Sequence, residues 1–246
     1  MGGSTSASST STGTGGAGGE GSWTPANLSG LALWLRSDAG KIEDPQHPGT
    51  ILKWNDQSPH ASQAVATNLQ DGWRFDIDPS ALNGQDAIRC PGNGIYMAVP
   101  DAAPLQWGTG PFLIAMVVRN DANQTSESRY WSKDIGGTGV AFTQNVPGSL
   151  RLMAATESVI VAVPFAAAFH IAIMRGPDLK LQVDESTATG PTVTANLDNT
   201  GAPVLLCMGG TNTQTMEIAE VVAVKGAVTD MDVEKLETYL SMKFGL

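Results

Sequence analysis

Met216-Glu217-Ile218-Ala219-Glu220-Val221-Val222-Ala223-Val224, then Lys225-Gly226-Ala227-Val228, then Thr229 to Leu246, close the chain. The first nine residues read as an apolar strand, the next four as a turn, and the rest as a short amphipathic helix. Thr229 or Asp230 can cap that helix, and Asp230, Asp232 and Glu234 favour its positive end. Val233, Leu236, Tyr239, Leu240 and Lys243 recur at helical spacing, with Lys243 the polar exception. Gly245 supplies a stop. One helix closing an otherwise strand-like chain bounds the fold class.

Working outward, strands are expected at Leu31–Leu35, Ile51–Trp54, Ala87–Cys90 and Ile95–Val99, the last two paired around Pro91-Gly92-Asn93-Gly94. Phe112–Val118 is a continuous apolar run, so both of its faces should be covered. Further strands are expected at Arg129–Lys133, Gly139–Thr143, Leu150–Ala154, Ser158–Val163, Phe169–Met174, Leu179–Val183 and Val204–Met208. Gly and Pro clusters punctuate them, and Asn55-Asp56-Gln57-Ser58-Pro59-His60 is a strong turn. The chain holds 246 residues with 28 Gly and 14 Pro. That length and turn density suit one all-β sandwich or barrel over residues 23–246.

Met1 to Ser22 is nearly all Gly, Ser, Thr and Ala. Such a segment has nothing to bury and is expected to be a flexible tether with an rms reach of roughly 25 Å. It has no apolar core of the kind a secretory signal needs. By composition it resembles the spacer of a surface lipoprotein, or the attachment arm of a particle component. The longest apolar stretch, Val159 to Met174, is interrupted by Pro164 and His170 and is too short to cross a membrane, so no transmembrane segment is expected.

The formal charge is −10, and no Lys/Arg cluster offsets it, which argues against a nucleic-acid partner. Cys90 and Cys207 each end an apolar stretch and read as two buried thiols packing as small hydrophobes. The alternative is a disulfide, which needs an oxidising compartment and two Cα atoms within range. No Cys/His spacing points to zinc.

Several of these pieces resemble the concanavalin A-like lectin/glucanase superfamily, in its laminin-G/pentraxin-like branch. They are Gly30-Leu31-Ala32-Leu33-Trp34-Leu35-Arg36-Ser37-Asp38-Ala39-Gly40; Trp54-Asn55-Asp56-Gln57-Ser58 with Gln63-Ala64; Asn83-Gly84-Gln85-Asp86-Ala87-Ile88-Arg89; Phe169-His170-Ile171-Ala172; and the closing strand and helix. The resemblance spans residues 28–246. It implies a jelly-roll β-sandwich of two antiparallel sheets with one short C-terminal helix. It implies little about function, because the fold hosts lectins, adhesion modules, virion proteins and hydrolases.

Enzymes of that superfamily that cleave β-glucans carry a Glu-x-Asp-x-Glu strand, and retention needs two carboxylates about 5–5.5 Å apart on one face. Strict alternation from Glu217 gives Ala219 and Val221 and sends Glu220 to the opposite face. No catalytic pair is therefore expected, and Glu220 reads as structural. No G-x-S-x-G occurs. His170 lies in an apolar strand and reads as a satisfied core residue, while His47 and His60 sit in loops. Many lectin-like sandwiches hold calcium, and the loop acids Asp38, Asp44, Asp56, Asp76, Asp78, Asp101 and Asp121 are the available ligands. They lack the EF-hand order and read as solvated acids, with Asp56 capping its own turn. No cofactor is expected, with calcium the open alternative.

A sugar site needs a flat aromatic surface with polar groups at its rim. Trp73, Tyr96, Trp107, Tyr130 and Trp131 are the candidate ligand-binding residues, each with core packing as its alternative. Trp34 and Trp54 read as core. The expected function is a non-catalytic binding or adhesion module at an extracellular or cell surface, recognising glycan or a protein. The alternatives are a virion component docking through its N-terminal arm, with homo-oligomer or particle assembly, and an accessory carbohydrate-binding module of a larger enzyme.

Overall fold

A computed structural model of the chain describes residues 23–70, 72–119, 127–144, 148–163, 167–208 and 216–246. The expected tether, residues 1–22, and Asp121 lie outside the described residues, as does Pro164. In chain order the strands are β1 (Leu31–Arg36), β2 (Lys41–Asp44), β3 (His47–Asn55), β4 (Gln63–Thr67), β5 (Phe75–Leu82), β6 (Gln85–Arg89), β7 (Tyr96–Val99), β8 (Phe112–Arg119) and β9 (Ser128–Ile135). They continue as β10 (Thr138–Gln144), β11 (Ser149–Ala154), β12 (Glu157–Ala162), β13 (Phe169–Gly176), β14 (Asp178–Val183), β15 (Ser186–Thr192), β16 (Val204–Met208) and β17 (Glu217–Lys225). The helix α1 (Asp230–Phe244) follows.

The fold is nearly all β, and every strand pairing is antiparallel. Among the described residues 17 strands form one hydrogen-bonded network, nearly closed into a barrel, where two separate sheets were expected. The network falls into two runs. One is β5-β6-β17-β8-β13-β14-β15, with β1 joining β6 along the same edge of β17. The other is β2-β3-β4-β7-β16-β9-β10-β11-β12. A short β3–β5 ladder, Thr50 to Asp76 and Ile51 to Phe75, joins them. On the far side β12 packs along β15, where a Cβ on Gly190 would come within 3.1 Å of Val159 Cβ.

The main core lies between the runs and draws on most of the strands, broadly by alternation. Phe112, Ile114, Met116 and Val118 of β8 face it, while Leu113, Ala115 and Val117 face outward beneath α1. This is why β8 reads as an unbroken apolar run. α1 covers that outer face with Val233, Leu236, Leu240 and Phe244, each fully buried apolar side chain contributing roughly 1.5–3 kcal/mol. Thr229 is its N-cap, with its hydroxyl accepting from the Asp232 amide at 3.2 Å, and Gly245 at φ 69° ends it. Gly30 is required where β1 approaches β17, since an added Cβ would stand 2.1 Å from the Lys225 carbonyl oxygen.

The expected β6–β7 hairpin is corrected. β6 pairs with β5 and β17, whereas β7 pairs with β4 and β16, so Pro91–Gly94 carries the chain from one run to the other. The cysteines are corrected with it. Cys90 and Cys207 form a disulfide with Cα atoms 5.4 Å apart, across the same crossing. Each is buried, as expected of small hydrophobes, but neither is free.

Candidate functional site

The outer face of α1 and the first described residue, Trp23, enclose a groove of about 610 Å³. Thr24 and Asn27 close a tight turn after Trp23, through Asn27 Oδ1 accepting from the Thr24 amide at 2.9 Å. This holds the indole beside the helix. Met231, Lys235, Thr238 and Met242 recur along the side of α1 away from the core, and Glu234 flanks them. At 1.5 Å per residue the groove runs about 16 Å from Met231 to Met242. The two methionines are 62% and 77% exposed, more than any other large hydrophobic residue described. Trp23 and Tyr239 meet edge to face, with ring centroids 6.3 Å apart and planes at 66°.

One buried carboxylate organises the floor. Glu220 is fully buried and accepts from Trp34 Nε1 at 2.7 Å, Tyr239 Oη at 3.1 Å and Lys243 Nζ at 2.6 Å. Lys243 also reaches Asp38 Oδ1 at 2.8 Å, and Asp38 pairs with Arg36. Burial pushes the Glu220 carboxyl above the ordinary range, against the pull of Lys243, Trp34 and Tyr239. Burial beside Glu220 also raises the Tyr239 phenol. For Asp38 burial opposes ionisation, but hydrogen bonds from Arg36 and Lys243 outweigh it and hold the carboxyl well below the usual range. The expected structural role of Glu220 thus acquires partners, and the polar exception in the helix pattern, Lys243, acquires a reason.

The five sequence-predicted aromatics do not converge here. Trp107, Tyr130 and Trp131 are buried in the main core and are corrected from ligand-binding candidates to packing residues. Trp107 stacks on Phe112 at 5.5 Å and on Trp131 at 6.4 Å, and Tyr130 on Phe142 at 5.4 Å. Trp107 reaches the core from the loop before β8, and a bulge in β9 between the Trp131–Phe142 and Arg129–Thr143 pairs turns the neighbours Tyr130 and Trp131 inward together. Trp73 and Tyr96 are half-buried. Trp73 packs on the rim of the main core, Tyr96 lies on β7, and neither lines the groove. Trp34 and Trp54 are core, as expected. The groove residues missed from sequence, Trp23 and Tyr239, had a signal: a tryptophan at the tether border and two methionines on the polar side of an amphipathic helix.

The argument against a catalytic pair changes its basis. A bulge between Ile218 and Glu220 interrupts the alternation of β17, so Glu217 and Glu220 share the outer face. Each is nonetheless held by other groups. Glu217, 1% exposed, accepts from Arg89 Nε at 3.1 Å and Arg119 Nη1 at 3.4 Å, and Glu220 lies beneath α1. Burial raises the Glu217 carboxyl as well, against the pull of Arg89 and Arg119.

The loop acids are corrected from solvated to largely engaged. Asp56 accepts from the amides of Trp34, Ser58 and Ser62 and from the Ser58 hydroxyl, extending its expected turn cap to β1. Asp44 takes His47 and Arg74, Asp78 takes Arg89, and Asp101 takes the buried Lys133 at 2.6 Å. Among the described residues, no three or more His, Cys, Asp or Glu group so as to hold a metal ion. His170 is buried with Nδ1 2.7 Å from Asp184, although its Nε2 has no partner. No helix among the described residues is long and apolar enough to cross a membrane.

No family model and no curated protein sequence matches the chain. Solved structures match it by fold. The binding domain of Paraclostridial Mosquitocidal Protein 1 superposes with a TM-score of 0.65 at 14% identity, over 86% of this chain and 52% of that one. The ligand binding domain of botulinum neurotoxin serotype D, in complex with N-acetylneuraminic acid, gives 0.62 at 8% identity, over 85% and 51%. Trypanosoma rangeli sialidase, in complex with a difluoro-KDN, gives 0.59 at 13% identity, over 89% and 33%. This chain spans about half the length of the two toxin domains and a third of the sialidase. At these identities the likeness is one of fold.

Proposed function

We propose that this chain is a non-catalytic binding or adhesion module that recognises a glycan in the groove between Trp23 and α1. The observation that carries the reading is the groove itself. It sets two aromatic rings at a steep angle and surrounds them with the Thr238 hydroxyl, the Lys235 ammonium and the Glu234 carboxylate. Apolar ring faces cover the C–H faces of a sugar, and rim donors and acceptors take its hydroxyls.

The fold likeness to toxin binding domains supports a binding role, as do two outer-face glutamates already held by other groups. We further infer that the two runs are the two layers of a concanavalin A-like jelly roll. Display at an extracellular surface through residues 1–22 fits the disulfide, because such bonds persist in oxidising compartments. The module needs no cofactor in this reading.

The test is a glycan array probed with the full chain and with Trp23→Ala, each with calcium and with chelator. Saturable binding by the parent, lost in Trp23→Ala and indifferent to chelation, is the expected result. Binding that survives Trp23→Ala moves the site elsewhere. No binding across the array sinks the sugar-binding role and leaves a protein surface or particle neighbour as the ligand.

A further inference from the structure

One row across the sheet gathers cations. β13, β14 and β15 pair so that Arg175 stands directly opposite Lys180, and Lys180 directly opposite Thr189. Met174, Leu179 and Leu181 face the main core, so alternation turns Arg175 and Lys180 to the outer face. Like charges directly opposite one another destabilise a strand pair, so this row carries a cost. The two cations border one cavity of about 300 Å³, lined also by Phe112, Gly176 and Val228. Among the described residues, neither Lys180 nor Thr189 has a side-chain hydrogen-bond or ion-pair partner. Arg175 donates from Nη1 to Asp230 Oδ1 at 2.7 Å, but the Asp230 side chain is 86% exposed, and such surface pairs contribute little. The hydrogen bond from Arg175 and the charges of Arg175 and Lys180 hold the Asp230 carboxyl below its ordinary range. A carboxylate of the chain thus already sits in the field of both cations, at a position open to displacement. Asp178, the acid on the cavity rim, lies across a bulge from Lys180 and accepts from the Thr192 hydroxyl. Val228 leads into Thr229, the N-cap of the 15-residue α1, so the positive end of that helix adjoins the cavity.

We propose that Arg175, Lys180 and Thr189 form an oxyanion site, separate from the groove beside Trp23, that takes a sulfate, phosphate or carboxylate group. Lys180 supplies a point charge with three donors, Arg175 the rest of its guanidinium fork, and Thr189 a hydroxyl. Asp230 competes for Arg175 from within the chain, and an incoming anion returns that carboxylate to water. The formal charge of −10 disfavours diffuse anion binding, so the site works through these local donors. At about 300 Å³ the cavity is at the small end of ligand sites, which suits one charged group rather than an extended chain. The group can arrive as a free ion or carried on a saccharide.

The experiment titrates the full chain with sodium sulfate, sodium phosphate and a monosulfated disaccharide, and follows backbone amide chemical shifts. Sodium chloride at matched ionic strength is the control. Saturable shifts centred on residues 174–181, 188–190 and 228–231, absent with chloride, are the expected result. Lys180→Ala and Arg175→Ala should each weaken binding at least about tenfold. Asp230→Asn should strengthen it about threefold by removing the competitor. Lys180→Ala, at a half-buried position outside the core, keeps the test open if Arg175→Ala does not fold. Tighter binding of the disaccharide than of sulfate makes the saccharide the source, equal binding makes it the free ion, and either upholds the site. Shifts spread over the surface and matched by chloride overturn it, as does binding unmoved in a folded Lys180→Ala protein. Affinity unchanged in Asp230→Asn overturns the part given to Asp230. These failures leave the glycan reading of the groove untouched, because that reading rests on other residues.

Discussion

Two sets of aromatic side chains occupy opposite environments. Trp107, Tyr130, Trp131, Phe112 and Phe142 stack on one another between the two strand runs, sealed from water. Trp23 and Tyr239 meet on the outside of the molecule, against a helix. The inner set carries unsatisfied donors, since the indole N–H groups of Trp107 and Trp131 have no hydrogen-bond partner. The outer set is tied to a polar hub through the Tyr239 hydroxyl. The inner rings fill volume and the outer rings border the groove, although the residue types are the same.

The sharpest way to break that contrast is to truncate one ring from each set. Trp131→Ala should lower the unfolding free energy by about 3–5 kcal/mol in urea, whereas Trp131→Phe, which loses volume but no made hydrogen bond, should cost under about 2 kcal/mol. Equal losses from the two would mean the N–H has a role in the core. Replacing Cys90 and Cys207 together by Ala should cost about 2–5 kcal/mol, because the bond spans 117 residues and ties the two runs. An unchanged midpoint would show that the crossing is held without it. On the outer side, Glu220→Ala should cost about 3 kcal/mol and Glu220→Gln less, since the amide still accepts from Trp34 and Tyr239. Trp23→Ala should cost under about 1 kcal/mol while abolishing binding. A large stability loss there would reclassify Trp23 as core.

The smallest effect is pH dependence. Glu220 and Glu217 have folded values raised above their ordinary 4.5, so the native state holds their protons more tightly than the unfolded chain. Their contribution is fully present below about 4.5 and is lost as pH rises through their folded values. Asp38 and Asp101 are lowered below their ordinary 3.8, so their contribution is present above that value and fades as pH falls through the folded ones. Chemical denaturation from pH 3 to 7 should show stability falling towards both ends, with a shallower decline on the neutral side in Glu220→Gln. A neutral limb identical to the parent would remove Glu220 as its cause.

What was legible in the sequence follows burial. Phe112–Val118, Met216–Val224 and the closing helix stood out because water is excluded from their apolar positions, which leaves unbroken apolar runs in the two strands and a helical repeat in the third. The strands β2, β4, β5 and β15 did not. β15 reads Ser-Thr-Ala-Thr-Gly-Pro-Thr with mostly exposed side chains, and β5 carries Asp76, Asp78 and Pro79, so only backbone pairing marks them as strands. The bulge at Glu220 was equally hidden, because a one-residue slip depends on the partner strand. The groove was half legible: Tyr239 and Lys243 appear in the helical repeat, but only the fold shows that Trp23 is their neighbour.

The near-closure of the strand network has a consequence for crowding. Open strand edges are the usual route by which β proteins stick to copies of themselves. Here β12 is shielded along β15, and β15 itself offers a polar strand broken by Gly190 and Pro191, whose missing amide spoils any ladder laid against it. β2 presents Lys41 and Glu43 along a strand of four residues. Were the chain displayed in many copies as proposed, they would stand shoulder to shoulder without zipping together along their strands, the condition under which weak single-site binding adds up to firm attachment.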